Sequence, residues 1–324
     1  WNPDLSASQI AEEWTRLTFG NDSKVVQTIT DIQLKSWRTY ENYTGPLGLQ
    51  TLTDITGNHY GVNVEASERN GWGQWHRADH LGVGMDRTVG TTASTGTGFV
   101  GQYWPEVAKV YENVGTTPDD LLTFFHHVPY TWKLHDGKTV IQYIYDSHYQ
   151  GADDAARLGD NWAPLPGTLD THVFDNMQAR LTYQAGHAIV WRDAIVQYFL
   201  KLSGIPDDKS RAGHYPNRLE AEDAKLTGYT VVDVHPWEDA SRGKAVTCPP
   251  NDSETAPRTC SAEWTFTGKP GHFKIAVQYF DLQGGDAHFT LAVSGQPITH
   301  WIANAKLPTM HLHGDNSTRF TTGA

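Results

Sequence analysis

The hydrophobic period of this chain changes once, between Ile205 and Pro216. Upstream of that stretch, apolar residues recur every three to four positions, the spacing that gives a helix one buried stripe. Downstream they alternate in short runs such as "TVVDV", "HFKIAVQYF", "AHFTLAVSG" and "PITHWIA", separated by turn dipeptides, as half-buried antiparallel strands require. A single packing layer cannot serve both periods. The chain is therefore read as α+β, with a helical domain over 1–205, a linker over 206–216 and a β-sandwich of jelly-roll type over 217–324. The polar ending "NSTRFTTGA" supplies no closing apolar strand, so the sandwich is expected to be truncated.

Within the helical part, Ser6 followed by Gln9 forms a capping box, and Ile10, Trp14, Leu17 and Thr18 then repeat at helical spacing until Gly20. A second helix starts at Asn21 and carries Val25, Ile29, Ile32, Leu34 and Trp37 toward Tyr43, which makes an αα-hairpin. Further helices are predicted in "QYWPEVAKVYENV", "PDDLLTFFHHV" and "KTVIQYIYDSHYQGADDAARL". The longest runs from Asp170 to about Leu202, with Val173, Met177, Leu181, Ala188, Trp191, Ile195 and Phe199 directed at a core; "SGIPDD" ends it. Between Gly45 and Gly101 the period vanishes and glycines crowd in, so this region is predicted to be mostly loop.

Composition narrows the function. The formal charge of −12 and the lack of Lys/Arg clusters argue against a nucleic-acid or anionic-membrane partner. No apolar run is long enough to span a membrane, and the first twenty residues have no leader pattern. The two cysteines, Cys248 and Cys260, bracket a polar, turn-rich stretch and suit a disulfide, with two free thiols as the alternative. Sequons at Asn21, Asn42, Asn251 and Asn316 offer glycosylation sites, and together with the cysteines they make secretion to an extracellular setting the expectation.

Several motifs carry less chemistry than their spelling suggests. Gly96 to Gly101 spells G-x-G-x-x-G, but "TVGTTAST" precedes it where a dinucleotide fold needs a buried strand, so it reads as a loop entering a helix. His76 and His80 have metal-pair spacing on a segment that makes poor helix, and His126 and His127 would diverge on one. All four read as hydrogen-bonding histidines. There is no G-x-S-x-G elbow. Glu65, Glu68, Asp79 and Asp86 could supply an acid and a base, but Arg69, Arg77 and Arg87 stand ready to pair with them. Glu220 and Glu222, two apart on an expected strand, would face one side and could hold Ca²⁺; a solvated acidic strand explains them as well.

The stretch "SERNGWGQWHRADHLGVGMDR" offers more. Indole rings stack on the C–H face of a pyranose, while Arg, His and Gln bond hydroxyls or a carboxylate, so Trp72, Trp75, Arg69, His76 and Arg77 are candidate sugar-binding residues. The alternative is that both rings fill a core beneath a long loop.

This stretch, with "ENYTGPLGLQTLTDITGNHYG", "PDDLLTFFHHVPYTWKLHDGKTVIQYIYDSHY" and "WNPDLSASQIAEEW", resembles the C-terminal region of glycoside hydrolase family 67, the xylan α-1,2-glucuronidases, over about 1–205. The sandwich resembles the tail of fungal members and, more loosely, carbohydrate-binding jelly rolls. The resemblance implies an inverting hydrolase that removes (4-O-methyl)glucuronic acid from xylo-oligosaccharides without metal or cofactor. Its catalytic carboxylates would sit on a barrel absent from this chain, so no catalytic residue is assigned here and the chain alone is expected to be inactive. What transfers is an aromatic residue lent to the barrel mouth, Trp72 first and Trp75 second. The implied partners are the substrate, the N-terminal and barrel parts, and a second copy in a homodimer. A stand-alone binding or assembly module, and an independent hydrolase using Glu65, Glu68 or Asp86, are the competing readings.

Overall fold

The computed structural model describes residues 2–49, 62, 78–90, 96–165, 167, 169–215, 218–233, 240–249, 258–273, 275–281, 286–303 and 319–323. Among them, helix extends to Ser203 and strand begins at Lys225, an α+β chain whose period change marks the passage from one to the other.

Helix α1 (Ala7–Phe19) starts at the expected capping box: the Gln9 amide donates to Ser6 Oγ at 3.2 Å and the Ser6 amide to Gln9 Oε1 at 2.9 Å. It ends at Gly20, and Asp22 caps α2 (Ser23–Thr44) by accepting from the Val25 amide at 3.0 Å. Val25 and Ile29 are buried as expected. The α1 stripe is not: Ile10, Trp14 and Leu17 are exposed, as are Leu34 and Trp37 of α2, while Ala11 and Thr15 face inward. The period is helical, but the described chain covers the opposite side.

Downstream, α3 (Pro105–Glu112) buries none of its residues. The helix expected in "PDDLLTFFHHV" shrinks to a 3₁₀ turn and α4 (Leu122–Phe125), because His126 turns extended at φ −131° and carries the chain into a ladder. Helix α5 (Val140–Trp162), capped by Thr139, packs on α2 and on α6 (Thr171–Ser203). Asp170 caps α6 through the His172 and Val173 amides, and Gly204, at φ 66°, closes it. Leu181, Ala188, Trp191, Ile195 and Phe199 are buried as read from sequence; Val173 and Met177 in the first two turns are not.

Two apolar clusters result. The larger joins Tyr43, Leu47, Ile141, Ile144, Tyr145, Trp191, Ile195 and Phe199, and a smaller one joins Val25, Ile29, Leu158, Trp162 and Leu181. Beside the larger core, Asp207 lies under α5. Arg211 donates to it through Nε at 2.8 Å and to Asp146 through Nη2 at 2.6 Å, while Lys138 and Lys209 complete the Asp146 shell.

The strand part lies beyond α6 in the sequence. Its described strands form four two-stranded antiparallel ladders: β1 (Lys225–Thr227) with β4 (Ser261–Glu263), β2 (Thr230–Asp233) with β3 (Lys244–Thr247), β5 (Val277–Asp281) with β8 (Arg319–Gly323), and β6 (Ala287–Val293) with β7 (Gln296–Ala303). Phe289 and Trp301 are cross-strand partners with stacked rings 5.1 Å apart. A disulfide joins Cys248 to Cys260.

Candidate functional site

Arg69, Trp72, Trp75, His76 and Arg77 lie outside the described residues, as do Glu65 and Glu68. What is described is the framework on either side. Val62 is buried in the larger core. On the other side Asp79 closes a tight turn, its Oδ1 accepting from the Leu81 amide at 2.8 Å and the Gly82 amide at 3.0 Å. The Tyr130 hydroxyl donates to the Asp79 carbonyl at 2.8 Å.

From there the chain runs along the segment after α4. Val83 and Val128 exchange amide–carbonyl bonds of 2.9 Å, the Met85 amide donates to the Thr123 carbonyl at 3.0 Å, and the Arg87 amide donates to the Phe125 carbonyl at 2.9 Å. The glycines of "LGVGMDR" permit this approach. Gly84 sits at φ 103°, and a β-carbon there would lie 2.1 Å from the His126 carbonyl oxygen, closer than any side chain can stand.

The G-x-G-x-x-G run has the same kind of origin. The Thr97 amide donates to the Asp86 carbonyl, the Gly98 amide to Thr88 and the Val100 amide to Arg87, so its backbone donors are spent on its own chain. A β-carbon on Gly96 would lie 2.3 Å from the Thr88 carbonyl oxygen. These glycines seat one strip of backbone on another, and the donors that would cradle a pyrophosphate are already used.

The carboxylates here are likewise committed. Asp86 Oδ1 accepts from the Thr88 amide at 3.1 Å and the Thr88 hydroxyl at 2.5 Å. Glu112, at the end of α3, grips the backbone with both oxygens, taking the Val89 amide at 2.8 Å and the Gly90 amide at 3.0 Å. Glu112 was not singled out from sequence. Its only sequence signal was an acidic residue ending a short helix. His126 is buried and lies 2.9 Å from the Thr117 hydroxyl; burial pushes its imidazole below the usual range. His127 faces Asp79 at 3.4 Å. The two histidines diverge as expected, since His126 points to the Thr117 turn and His127 to the Asp79 turn.

Arg87 is held by contacts other than an ion pair among the described residues. Its guanidinium is buried against the Phe124 ring at 4.1 Å, donates to the Phe124 carbonyl, and has no carboxylate partner among the described residues. Burial lowers its pKa. The stacking and the carbonyl bond both favour the cation at this spot. Asp86, Thr88, Glu112, His126, His127 and Trp132 line a recess of about 300 Å³ beside this ladder. Its lining combines an aromatic face with hydroxyl- and carboxylate-bearing groups, of which Asp86 and Glu112 accept backbone amides.

Other expectations resolve as follows. Glu220 precedes a 3₁₀ turn (Ala221–Asp223) and Glu222 lies within it, so the shared strand face does not exist. Glu220 accepts from the Ser241 hydroxyl at 2.7 Å, and Glu222 lies 3.8 Å from Arg242. Among the described residues no group of three His, Cys, Asp or Glu side chains could hold a metal ion, and no helix is long and apolar enough to cross a membrane. Asn21 is exposed, whereas Asn42 is buried where α2 meets Gly151 of α5 and leaves no room for a glycan; Asn251 and Asn316 lie outside the described residues.

Comparison with known proteins gives these features a context. A family model described as the glycosyl hydrolase family 67 C-terminus matches residues 1–212. Over 99% of its length the chain is 47% identical to a probable alpha-glucuronidase A of Aspergillus clavatus, and 46% identical to a probable alpha-glucuronidase A of Aspergillus fumigatus and to an alpha-glucuronidase A of Aspergillus tubingensis. In each case the match takes in 38% of the relative, so the chain spans little more than a third of the length of these curated relatives.

Proposed function

Since the chain belongs to glycosyl hydrolase family 67, whose C-terminal part it carries, we propose that it serves an α-glucuronidase that cuts the α-1,2 bond between (4-O-methyl)glucuronic acid and xylo-oligosaccharides. The acid and base of that reaction are supplied by the part of the protein outside this chain. An inverting pair stands roughly 6.5–9.5 Å apart so that a water fits between them and the sugar, whereas Asp79, Asp86 and Glu112 here accept backbone amides of turns and loops. The isolated chain is therefore inactive.

Its contribution is the segment 63–77. Trp72 covers the xylose side of the scissile bond, Trp75 backs it, and Arg69, His76 and Arg77 bond the sugar hydroxyls or the uronate. The observation that carries this reading is the framework: Val62 in the core and the Asp79–Arg87 ladder hold both flanks of the segment to one rigid body. A segment pinned at both ends can present an aromatic ring reproducibly. The disulfide between Cys248 and Cys260 suits a secreted enzyme.

The test uses the full-length enzyme with Trp72→Ala and Trp75→Ala. Loss of a stacking face costs about 1–3 kcal/mol, or roughly ten- to a hundredfold in kcat/KM on aldobiouronic acid, with less effect on an aryl glucuronide. A core tryptophan would instead cost about 3–5 kcal/mol of stability and depress all substrates equally. That second pattern would refute the assignment.

A further inference from the structure

Helix α1 is oriented the reverse of what its composition calls for. Ile10, Trp14 and Leu17 lie at i, i+4 and i+7, yet they are 52%, 49% and 81% exposed. The side facing α2 is made by Ala11 and Thr15, whose hydroxyl bonds the Ala11 carbonyl at 2.7 Å and receives Gln33 of α2 at 3.2 Å. On α2, Trp37 is 65% exposed, and Leu34 and Tyr40 are also outside. A scattered exposed leucine needs no explanation, but an aromatic and aliphatic stripe kept at helical spacing does. The charges around it are already paired, Arg16 with Glu12 at 2.6 Å and Lys35 with Asp31 at 3.8 Å, which leaves the stripe itself neutral.

We propose that this outer face of the α1–α2 hairpin is the docking surface for the part of the same polypeptide that precedes this chain. The proposal rests on family membership and is independent of the role given to Trp72. The relatives match nearly all of the chain but are more than twice as long, and the matched family region is the C-terminal one, so their additional length lies mainly on the α1 side. Helix α1 is the first element on that side. A tethered neighbour meets the face at an effective concentration in the millimolar range and pays no further cost of association. A second copy would have to overcome the loss of translational and rotational freedom to cover the same patch.

The experiment places Leu17→Asp and Trp37→Glu, singly and together, in the full-length enzyme, with Leu17→Ala and Trp37→Ala as uncharged counterparts. Both positions are already exposed in this chain, so the helical core keeps its own contacts. The expected result is that calorimetric unfolding, cooperative in the parent, separates into two transitions, that protease nicking begins between the two parts, and that sedimentation mass is unchanged. The alanine variants should move the same way by a smaller amount. A fall from dimer to monomer mass with unfolding still cooperative would assign the face to a second copy and overturn the proposal. Unchanged unfolding, nicking and mass would overturn it as well. Failure of the Trp72 reading would show in substrate selectivity, which none of these measurements reads.

Discussion

Gly151 lies inside α5, where alanine is ordinarily the better residue by about 0.5–1 kcal/mol, since glycine loses more backbone freedom on folding. Here the geometry overrides the propensity. A β-carbon at 151 would lie 2.5 Å from the Tyr43 amide nitrogen and 2.9 Å from the Asn42 carbonyl carbon, and both of these are backbone atoms of α2. Ordinary carbon contacts begin near 3.5 Å, so the two helices must part by about 1 Å or tilt. That loosens the larger core, in which Tyr43 and Tyr145 meet. Overpacking of this kind costs about 1–3 kcal/mol, which exceeds the propensity gain. Gly159, two turns on in the same helix, is the matched control: its β-carbon would meet only Leu181 Cβ at 3.8 Å, an ordinary contact. Gly151→Ala should lower the urea midpoint read by far-ultraviolet circular dichroism, while Gly159→Ala should raise it by the equivalent of about 0.5–1 kcal/mol. If Gly151→Ala were as stable as the parent, the close crossing of α2 and α5 would be wrong.

Two further outcomes concern ionisation. His148 of α5 is wholly buried, its Nδ1 lies 2.7 Å from the Ile144 carbonyl, and burial pushes the imidazole down to about 4. The folded ring is neutral while the unfolded one takes a proton near 6.5, so its contribution is full above that pH and is lost as pH falls from about 6.5 to 4, by up to about 3 kcal/mol. His148→Gln should flatten the pH dependence of unfolding over that window; parallel profiles would reject the assignment. Asp207 is pushed up by burial but drawn further down by Arg211, Gln142 and two backbone amides, so it ends well below the usual carboxylate range. Arg211→Met leaves this fully buried side chain short of its cation and should cost about 3–5 kcal/mol in urea unfolding, part of which Asp207→Asn restores in the double variant. Additive losses in that cycle would mean that the pair does not interact.

Features set by contacts a few residues apart were legible in the sequence. The Ser6–Gln9 box and the end of the longest helix in "SGIPDD" need only their own turn of helix, and each stands where it was read; Asp170, read as the first residue of that helix, is its cap. The short α4 was not legible, because the bonds from Met85 and Arg87 to Thr123 and Phe125 claim that backbone from nearly forty residues away. Nor was the pairing of the described strands. An alternating run says that one face will be covered, without saying by which strand, and the described ladders pair β5 with β8 across a long span of chain.

For the candidate site, the residue types were legible and their employment was not. The glycines around Gly84 and Gly96 were noticed, yet what decides their role is a carbonyl oxygen about 2 Å from where a β-carbon would stand, and no spacing rule carries that distance. Arg87 is read from sequence as a partner for the loop carboxylates, whereas its contacts among the described residues are an aromatic face and a carbonyl. The same reasoning explains the α1 stripe. Hydrophobic periodicity records that a face is covered in the molecule as it works, whichever part of the polypeptide does the covering. In a chain that spans 38% of its relatives, a helix with its small residues inside and Trp14 and Leu17 outside is consistent with its sequence once the rest of the protein is counted among its neighbours.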